Sequence, residues 1–584
     1  MSKVLVVTKY YSHNVEYDNP RSKSSCWFVV KILLIPLLDK SFKKCYHTHT
    51  MKLNNESLNN SVFWQKANIA LPHFEREKMI TATKAAPKWV HFGAGNIFRA
   101  FPAAMMQQLL EQGVESTGIV VAEGYDGEII DKSFTAFDNL TIVVTLKSNG
   151  STDKQVIASV ASSMRMDNEL DTLKKIFTSP SLQMASFTIT EKGYSLIGRD
   201  GALFPDAADD LKKGPSAPKS YLGRIACLLH ERFKNGALPL AMVSMDNCSH
   251  NGDILFAAME TIAKGWVENG VCGADFLIYI RDKSKVSFPW SMIDKITPRP
   301  DDSVRDMLVS CGLEDMQGVV TSKNTYVAPF VNAEETQYLV IENTFPNGRP
   351  ALEKAGVLFT DRETVDRVEK MKVCTCLNPL HTSLAVFGCL LGYTRISEEM
   401  KDASLVKLIE GIGYREGLPV VTDPSIIKPR DFIDQVIKVR LPNPFMPDAP
   451  QRIAMDTSLK MPIRFGETLK EYIKSGKNLD SLKLIPLVFA GWLRYLLGID
   501  DQGKPFEVSP DPNYKTLAAN LSGVNLGQTG PFHNKLEPIL SNSAYFGVNL
   551  YEAGLGTKVE ELFTQMLTGP GAVRKALDFN VNLY

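Results

Sequence analysis

Apolar residues in the first part of the chain come in short runs that are separated by turn residues and by longer amphipathic stretches. The short runs predict buried strands, and the amphipathic stretches predict helices that connect them. The predicted strands cover 89–92, 118–122, 141–145, 184–190 and 240–244, and the predicted helices cover 97–112, 170–177 and 220–234. This alternation indicates a parallel sheet with crossover helices, and therefore an α/β domain, which we place over 60–340.

From about residue 350 the pattern changes, because amphipathic or apolar stretches follow one another and clear strands are absent. These stretches predict helices at 365–370, 382–391, 404–412, 429–440, 484–497 and 558–567. The sequence therefore predicts a mostly α-helical C-terminal domain over 341–584. We expect the boundary between 335 and 370, near the turn-rich segment 343–350.

Residues 1–50 differ from the rest of the chain. Their only long apolar run, 26–38, is interrupted by Lys31 and Pro36. It is too short to cross a bilayer, which needs roughly 20 residues, and the polar segment before it is wrong for a secretory signal. We expect 1–50 to be an irregular extension that is not part of the fold, so that a chain starting at Met51 folds normally. The alternative is a genuine but irregular extension.

The composition bears on the compartment and on the partners. Hydrophobic residues make up 44% and charged residues 22%, as is usual for a soluble globular protein. The 65 basic residues balance the 65 acidic ones, which gives no sign of a nucleic-acid or membrane partner. Nine scattered cysteines without a C-x-x-C pair favour free thiols and hence a cytoplasmic protein. No tight cluster of His, Cys and Glu predicts a zinc site, so we expect no metal.

A glycine pair marks the junction between the first predicted strand and its helix. Gly93 permits a tight turn, and Gly95 allows a pyrophosphate to approach the helix N-terminus. Phe98 occupies the usual third glycine position, so an ordinary turn would explain this pattern equally well. The second strand ends at Glu123, where a carboxylate accepts hydrogen bonds from a ribose and repels a 2′-phosphate; Asp126 is the alternative. These residues favour NAD over NADP.

Six blocks of sequence follow one another in an order that is specific to one family. They are H-F-G-A-G-N-I-F-R at 91–99, T-I-T-E-K-G-Y at 188–194, S-M-D-N-C-S-H-N-G at 244–252, F-P-W-S-M-I-D-K-I-T-P at 288–298, N-P-L-H at 378–381 and R-I-A-M-D-T-S-L-K at 452–460. Each resembles a block of the polyol-specific long-chain dehydrogenases, the family of mannitol dehydrogenases and hexuronate reductases. The resemblance covers roughly residues 60 to 580.

The resemblance implies a Rossmann-type N-terminal domain, a helical C-terminal domain and an active site between them. It also implies hydride transfer without zinc, with NAD as the cofactor. The cofactor-binding residues it implies are Gly93, Gly95, Asn96, Ile97 and Arg99, together with Glu123 or Asp126 at the ribose.

Oxidation of a secondary alcohol without a metal requires a side chain that takes the hydroxyl proton and donors that stabilise the developing alkoxide. The resemblance makes Lys372 the base, in a partly buried cleft beside the positive nicotinamide. Asn247 and Asn378 are neutral donors suited to the oxyanion, and His381 shares a helix face with Asn378. Without the resemblance, a solvated lysine, a helix cap before Pro379 and a core histidine would explain these residues.

The spacing before Asn378 departs from the family pattern. The family has K-x4-N-x-x-H, whereas five residues separate Lys372 from Asn378 here. One inserted residue turns Lys372 by about 100° on a regular helix. A bulge, or a helix that begins only at Asn378, would absorb the insertion, and Pro379 favours the second device.

The substrate is predicted from three residues and a neighbouring cation. Asp294, Arg452 and Lys460 match substrate-binding positions of the family, and Arg464 follows closely. A guanidinium holds a carboxylate with paired hydrogen bonds, which favours a keto-uronate and its sugar acid, fructuronate and mannonate. A surface charge pair is the alternative for Arg452 and Lys460, and pairing with nearby basic residues is the alternative for Asp294.

Three other functions stay open. The first is a mannitol or other polyol 2-dehydrogenase, which the same residues would serve. The second is a non-catalytic nucleotide or sugar sensor, favoured only by the shifted lysine. The third is a zinc-dependent alcohol dehydrogenase, which lacks its ligand cluster here. In each catalytic case the partner is a small molecule, and the protein is expected to be a monomer or a small homo-oligomer.

Overall fold

The computed structural model describes residues 50–198 and 200–583. The predicted extension 1–50 therefore lies outside the described residues, apart from Thr50. Met51 already pairs with the rest of the protein, because its backbone N–H donates to the Gly312 carbonyl at 2.9 Å and its carbonyl accepts from the Glu314 N–H at 2.9 Å.

Six of the strands form one parallel sheet. The strands of the protein are β1 Trp89–Phe92, β2 Ile119–Glu123, β3 Thr141–Leu146, β4 Thr152–Ile157, β5 Val160–Arg165, β6 Met184–Phe187, β7 Leu240–Ser244, β8 Val286–Ser287, β9 Ser291–Asp294, β10 Val319–Val320, β11 Tyr326–Val327, β12 Phe330–Glu334, β13 Tyr338–Glu342 and β14 Leu358–Thr360. The order in the large sheet is β5-β2-β1-β6-β7-β8, with parallel pairing throughout. This is the doubly wound order of a Rossmann fold, and its switch point lies between β1 and β6.

Apolar layers cover both faces of this sheet, as a parallel sheet requires. In β2, Ile119 and Val121 pack into one buried layer, whereas Val120 and Ala122 pack into the opposite one. The alternation follows from the two-residue period of a strand. It explains why β2 is apolar without interruption from Ile119 to Ala122.

The remaining strands form smaller sheets. One has the order β12-β3-β4, another the order β14-β13-β9, and β10 pairs with β11. The predicted strand 141–145 is present as β3, but it lies outside the six-stranded sheet, and it pairs in parallel fashion with β12 and in antiparallel fashion with β4. β14 follows residue 350, where the sequence pattern showed no clear strand.

Helices fill the layers beside the sheet and almost all of the chain after Thr360. They are α1 Ser61–Lys66, α2 Arg76–Ala85, α3 Asn96–Ala100, α4 Pro102–Glu111, α5 Glu128–Ser133, α6 Leu170–Phe177, α7 Pro205–Lys213, α8 Tyr221–Lys234, α9 Asn251–Glu268, α10 Ala274–Arg281, α11 Asp302–Ser310, α12 Arg362–Met371, α13 Asn378–Leu391, α14 Ile396–Glu399, α15 Ala403–Glu410, α16 Pro429–Gln435, α17 Pro450–Ile453, α18 Thr457–Met461, α19 Glu467–Lys474, α20 Leu484–Tyr495, α21 Tyr514–Asn520, α22 His533–Leu540, α23 Ser543–Phe546, α24 Gly556–Met566 and α25 Ala572–Asn582. Short π-helical segments occur at Lys372–Cys376, Gly411–Gly417, Val436–Arg440 and Pro462–Gly466. The predicted class, a Rossmann-type α/β part followed by a mostly helical part, is confirmed.

Two predicted helices are each divided. The stretch 97–112 forms α3 and α4, separated at Phe101, because Pro102 disfavours helical geometry at the residue before it. The stretch 429–440 is α-helical only to Gln435 and continues as a π-helical segment to Arg440.

The longest helical run is apolar because it lies in the core. Arg362–Leu391, which joins α12, a π-helical segment and α13, has the length and mean hydropathy of a membrane span. However, 72% of its most apolar stretch is buried inside the protein. Packing against the other helices of the C-terminal half accounts for its composition.

Candidate active site

The loops after β1 and β6 meet at the switch point of the large sheet. Gly93 has a φ of +105°, and a Cβ atom there would lie 2.3 Å from the Thr188 carbonyl oxygen. Only glycine fits between these loops, as the sequence predicted for a tight turn. The carboxyl ends of the strands on either side of a switch point are where α/β proteins bind nucleotides.

Unlike Gly93, Gly95 is not required by close contacts within the protein. Nothing lies within 4 Å of the position that its Cβ would take, so this backbone faces open space. It precedes Asn96 and Ile97, which begin α3 and are partly buried. The opening suits a pyrophosphate that accepts hydrogen bonds from backbone N–H groups, so the residues present fit a dinucleotide.

Arg99 and Phe98 lie behind this loop. Arg99 is 1% exposed; it donates to the Ala328 carbonyl at 2.7 Å and to Asn96 Oδ1 at 2.9 Å, and burial lowers its pKa to about 9. The prediction that Arg99 contacts the cofactor therefore needs correction, because its guanidinium orients Asn96 from the protein interior. Phe98 stacks on His91 with ring centroids 4.3 Å apart, which explains a large residue at the third glycine position.

The two candidate ribose ligands differ in placement. The Glu123 carboxylate accepts from the backbone N–H groups of Ala94 at 2.9 Å and Tyr125 at 2.8 Å, and it lines a cavity of about 550 Å³. Asp126 is 2% exposed and accepts from Thr321 Oγ1 at 2.6 Å. Asp126 thus faces inward, and Glu123 is the carboxylate left at the cavity.

Asp246 ties two of the family-like blocks together. Its carboxylate accepts from the backbone N–H groups of Ile189 at 2.8 Å and Thr190 at 3.0 Å, and from Tyr194 Oη at 2.6 Å. Thr190 has a φ of +65°, so these hydrogen bonds hold a left-handed backbone in place. The loop that carries Asn247 is fixed in this way against the loop after β6.

Three of the four predicted catalytic residues line one small cavity of about 150 Å³. These are Asn247, Lys372 and Asn378, and Glu369 stands beside them. Lys372 Nζ lies 3.5 Å from Asn247 Oδ1 and 3.3 Å from the Ile293 carbonyl oxygen. Asn247 is exposed on its loop, whereas Lys372 is only 4% exposed. The structure thus brings together a lysine and two amides from opposite halves of the chain.

The extra residue between Lys372 and Asn378 is absorbed by a π-helical turn. Lys372–Cys376 is π-helical, and the Leu377 N–H donates to the Lys372 carbonyl at 3.1 Å, five residues back. A new α-helix then begins at Asn378, with Pro379 in its first turn. Both devices expected from the sequence are present, so the insertion does not turn Lys372 away from Asn378.

Lys372 belongs to a buried chain of alternating charges, which we call the catalytic ion network: Lys372, Asp294, Arg440 and Glu334. Lys372 Nζ lies 3.0 Å from Asp294 Oδ1, and Asp294 Oδ2 lies 2.6 Å from the Arg440 guanidinium. Arg440 also holds Glu334 with two hydrogen bonds of 2.8 and 3.0 Å. All four residues are at most 5% exposed. Each charge in this network is compensated by a neighbour.

Asp294 therefore differs from its predicted role in substrate binding. Both of its oxygens are engaged by cations, and it is 4% exposed. Burial would raise the pKa of Asp294, but Lys372 and Arg440 hold it below its usual range. Burial raises the pKa of Glu334, against the opposing effect of Arg440. Asp294 is thus an ionised carboxylate that forms an ion pair with Lys372 inside the protein.

His381 lies near the same helix start but bonds to no described side chain. Its Nε2 is 3.6 Å from Asp448 Oδ2, beyond hydrogen-bond distance, and has no hydrogen-bond partner in residues 50–198 and 200–583. Burial lowers its pKa to about 4; Asp448 opposes this effect, and the cations Arg464, Arg452 and Arg440 add to it. His381 is therefore neutral at physiological pH.

The three predicted or neighbouring substrate cations have different surroundings. The Arg452 side chain is 62% exposed and pairs with Asp448. Lys460 is partly buried, and its Nζ donates to the Ile453 carbonyl at 3.0 Å and to the Met455 carbonyl. Arg464 is also partly buried and donates to Thr382 Oγ1 at 2.6 Å, so it does not point to solvent. The exposed ion pair between Arg452 and Asp448 fits the alternative that Arg452 belongs to a surface charge pair.

Sequence reasoning missed Arg440, Glu334 and Glu369, and it missed the hydrogen bond between Arg464 and Thr382. Arg440 and its partners are separated by 146 and 106 residues, and none stands in a local pattern that marks an ion pair. The only available signal was the position of Glu369, three residues before Lys372 and hence on the same helix face.

Comparison with known proteins identifies both halves of the chain. Residues 87–354 match the model of the mannitol dehydrogenase Rossmann domain, and residues 364–564 match that of the mannitol dehydrogenase C-terminal domain. A D-mannonate oxidoreductase of Thermotoga maritima is 52% identical over 535 residues, which cover 90% of this chain and 98% of that protein.

Two solved structures have the same architecture. One is a D-sorbitol dehydrogenase in substrate-free form, with a TM-score of 0.74 and 25% identity over 88% of this chain and 98% of the other. The second is a Pseudomonas fluorescens mannitol 2-dehydrogenase in a ternary complex with NAD and D-mannitol, with a TM-score of 0.63 and 25% identity over 91% and 100%. The resemblance seen in the six blocks is confirmed: the chain belongs to the mannitol dehydrogenase family.

Proposed function

We propose that this protein is an NAD-dependent oxidoreductase that interconverts D-mannonate and D-fructuronate, with Lys372 as the acid and base. The observation that carries the proposal is the cavity that Lys372, Asn247 and Asn378 share at the carboxyl ends of the strands. The 52% identity to a D-mannonate oxidoreductase supports the sugar acid as the substrate.

The residues of the chain supply the proton chemistry. In the direction of oxidation, Lys372 Nζ takes the proton of the substrate hydroxyl, and the Asp294 carboxylate stabilises the resulting ammonium. In the direction of reduction, the ammonium returns this proton to the keto oxygen. Asn247 and Asn378 donate hydrogen bonds to the oxygen as its negative charge develops. NAD, which the Gly93–Gly95 loop and Glu123 would hold, would supply the hydride acceptor for oxidation of the carbinol carbon, and NADH the hydride donor for the reverse reaction.

The cofactor is NAD, and we assign it to the Gly93–Gly95 loop and the cavity at Glu123. The open space beside Gly95 supports contact with the pyrophosphate, and the Glu123 carboxylate supports a ribose without a 2′-phosphate. Catalytic efficiency with NADH should therefore exceed that with NADPH.

A polyol 2-dehydrogenase is the second candidate, because the mannitol 2-dehydrogenase complex shares this fold. The sensor hypothesis loses its one supporting feature, because the π-helical turn absorbs the inserted residue. Activity that survives prolonged EDTA treatment would exclude the zinc-dependent alternative. The balanced charge and the scattered cysteines support a cytoplasmic enzyme that acts on a small molecule.

The deciding experiment measures kcat/KM for fructuronate and for fructose at the same NADH concentration. We expect fructuronate to be the better substrate. A higher kcat/KM with fructose would replace the uronate with a mannitol-type substrate, and no turnover of either sugar with tight NADH binding would favour the sensor.

A further inference from the structure

Arg464 differs from the two other arginines near His381 in having no anionic partner. Arg440 contacts two carboxylates, and Arg452 contacts Asp448. In the part of the chain that the structure describes, Arg464 forms no ion pair, and its one hydrogen bond is to the neutral hydroxyl of Thr382 at 2.6 Å. A partly buried guanidinium with only a neutral partner is uncommon, because the loss of hydration is not repaid.

Lys460, close to Arg464 in the chain, also has no ion-pair partner among the described residues. Lys460 Nζ donates to two backbone carbonyls and has no carboxylate within ion-pair distance among the described residues. Burial, together with the charge of Arg464, lowers the pKa of Lys460 to about 8, against the opposing effect of Asp456 and Asp511. We call these two residues the cation pair. An arginine does not lose its proton at neutral pH, so the site keeps a positive charge that no described carboxylate contacts directly.

The cation pair is connected to the cavity of Lys372 through α13. Arg464 contacts Thr382, which follows His381 in α13, and the charge of Arg464 acts on His381. The same helix begins at Asn378, which lines the cavity of Lys372. The uncompensated charge and the base are thus linked by the first turns of one helix.

We propose that Arg464, with Lys460 beside it, binds the carboxylate of the substrate and so selects a sugar acid over a neutral sugar. This inference rests on the proposed function and assigns its specificity to one residue. Thr382 holds one nitrogen of the guanidinium, and the other N–H groups remain for a carboxylate. In a linear keto-uronate the carboxylate is at the far end from the keto carbon, so Arg464 acts on binding and leaves proton transfer to Lys372.

The test is Arg464→Gln, assayed with fructuronate and with fructose. A lost charge-assisted hydrogen bond corresponds to a decrease of about 10- to 100-fold in kcat/KM for fructuronate, mostly through KM. The value for fructose should change by less than about threefold. Arg464→Lys should retain an intermediate preference, because a lysine keeps the charge but loses the paired geometry.

Lys470→Gln is the matched control, because it removes an exposed charge that is paired with Glu467 on the next helix. It should leave both substrates unaffected. If Arg464→Gln is insoluble, Thr382→Val provides the second test: it removes the hydroxyl that orients Arg464 and should lower only the fructuronate value, by about three- to tenfold.

The outcomes separate this inference from the proposed function. If the unmodified enzyme prefers fructose, the proposed function itself is wrong. If the unmodified enzyme prefers fructuronate but Arg464→Gln or a soluble Thr382→Val affects both sugars equally or neither, only the assignment to Arg464 is wrong.

Discussion

The catalytic ion network and the cation pair lie near the same helix, but the charges of the network are paired with opposite charges and those of the cation pair have only neutral partners. In the network, two cations alternate with two carboxylates, and every charge has a partner within 3.0 Å. In the cation pair, the partners are a threonine hydroxyl and backbone carbonyls.

Under the assignment proposed for Arg464, this difference separates the charges that are paired within the protein from the charges that are left for a ligand. A residue that must keep its position between turnovers needs a partner that is always present, and Asp294 supplies this for Lys372. A residue that binds an anionic substrate is left with its charge uncompensated until the substrate enters. The comparison therefore divides the basic residues near His381 into a structural set and a ligand-binding set.

The largest loss of turnover is expected when Lys372 is removed from the catalytic ion network. Lys372→Ala should lower turnover about a hundredfold or more, because the general base is lost, while NADH affinity changes little. Steady-state kinetics and NADH fluorescence titration measure the two quantities. Lys370→Ala removes an exposed lysine that is paired with Asp366 and is the control. Near-normal turnover by Lys372→Ala would show that another group is the base.

Removal of the carboxylate at the centre of the network should have the next largest effect. Asp294→Asn leaves Lys372 and Arg440 side by side without the anion between them. We expect a loss of stability of about 3 kcal/mol and at least a tenfold loss of turnover. Chemical denaturation measures the loss of stability, and steady-state kinetics measure the loss of turnover. If only substrate KM rises and stability is unchanged, Asp294 contacts the substrate after all.

A buried carboxyl without a cation provides a third case. Glu399 is fully buried, neither of its oxygens has a partner among the described residues, and burial raises its pKa to about 9. The folded protein therefore holds a proton that the unfolded chain releases above about pH 4.5, so stability falls as the pH rises towards 9.

Glu399→Gln removes this dependence, because glutamine is neutral at every pH. Between pH 5 and 8 the unmodified protein should lose stability relative to the variant by an amount on the order of 4 kcal/mol. Denaturation at several pH values measures it, with the exposed Glu398→Gln as the control. A constant difference across the range would mean that Glu399 is already ionised. Glu399 becomes neutral by binding a proton, whereas the Arg464 guanidinium stays charged at neutral pH.

Arg452→Gln should have the smallest effect. Arg452 is exposed and already paired with Asp448, and exposed pairs contribute about 0–1 kcal/mol. We expect less than about fivefold loss of kcat/KM for fructuronate. A loss larger than that of Arg464→Gln would reverse the assignment of the two arginines.

The sequence predicted most of the fold because its apolar patterns are local. β1, β7 and α6 have the predicted bounds. The strand β5 was missed because V-A-S-S-M-R has no clear alternation of apolar and polar residues. The break at Phe101 was missed although Pro102 marks it.

The candidate site was predictable only where a motif marks it. The glycine loop, Asn247 and Asn378 stand in recognisable blocks, and Lys372 was assigned from its spacing to Asn378. Arg440 is linked to Asp294 and Glu334 by tertiary contacts alone, which no single-sequence pattern encodes. The inward orientation of Arg99 and Asp126 depends on distant partners, Ala328 and Thr321, and was therefore invisible in the sequence.

The most direct test of this account is a crystal structure of the enzyme with NAD and D-mannonate. We predict that the substrate carboxylate lies within hydrogen-bond distance of the Arg464 guanidinium, and that the carbinol oxygen lies between Lys372 Nζ and the Asn247 and Asn378 amides. A carboxylate bound to Arg452 or to solvent, with Arg464 still held only by Thr382, would contradict the division between compensated and uncompensated charges.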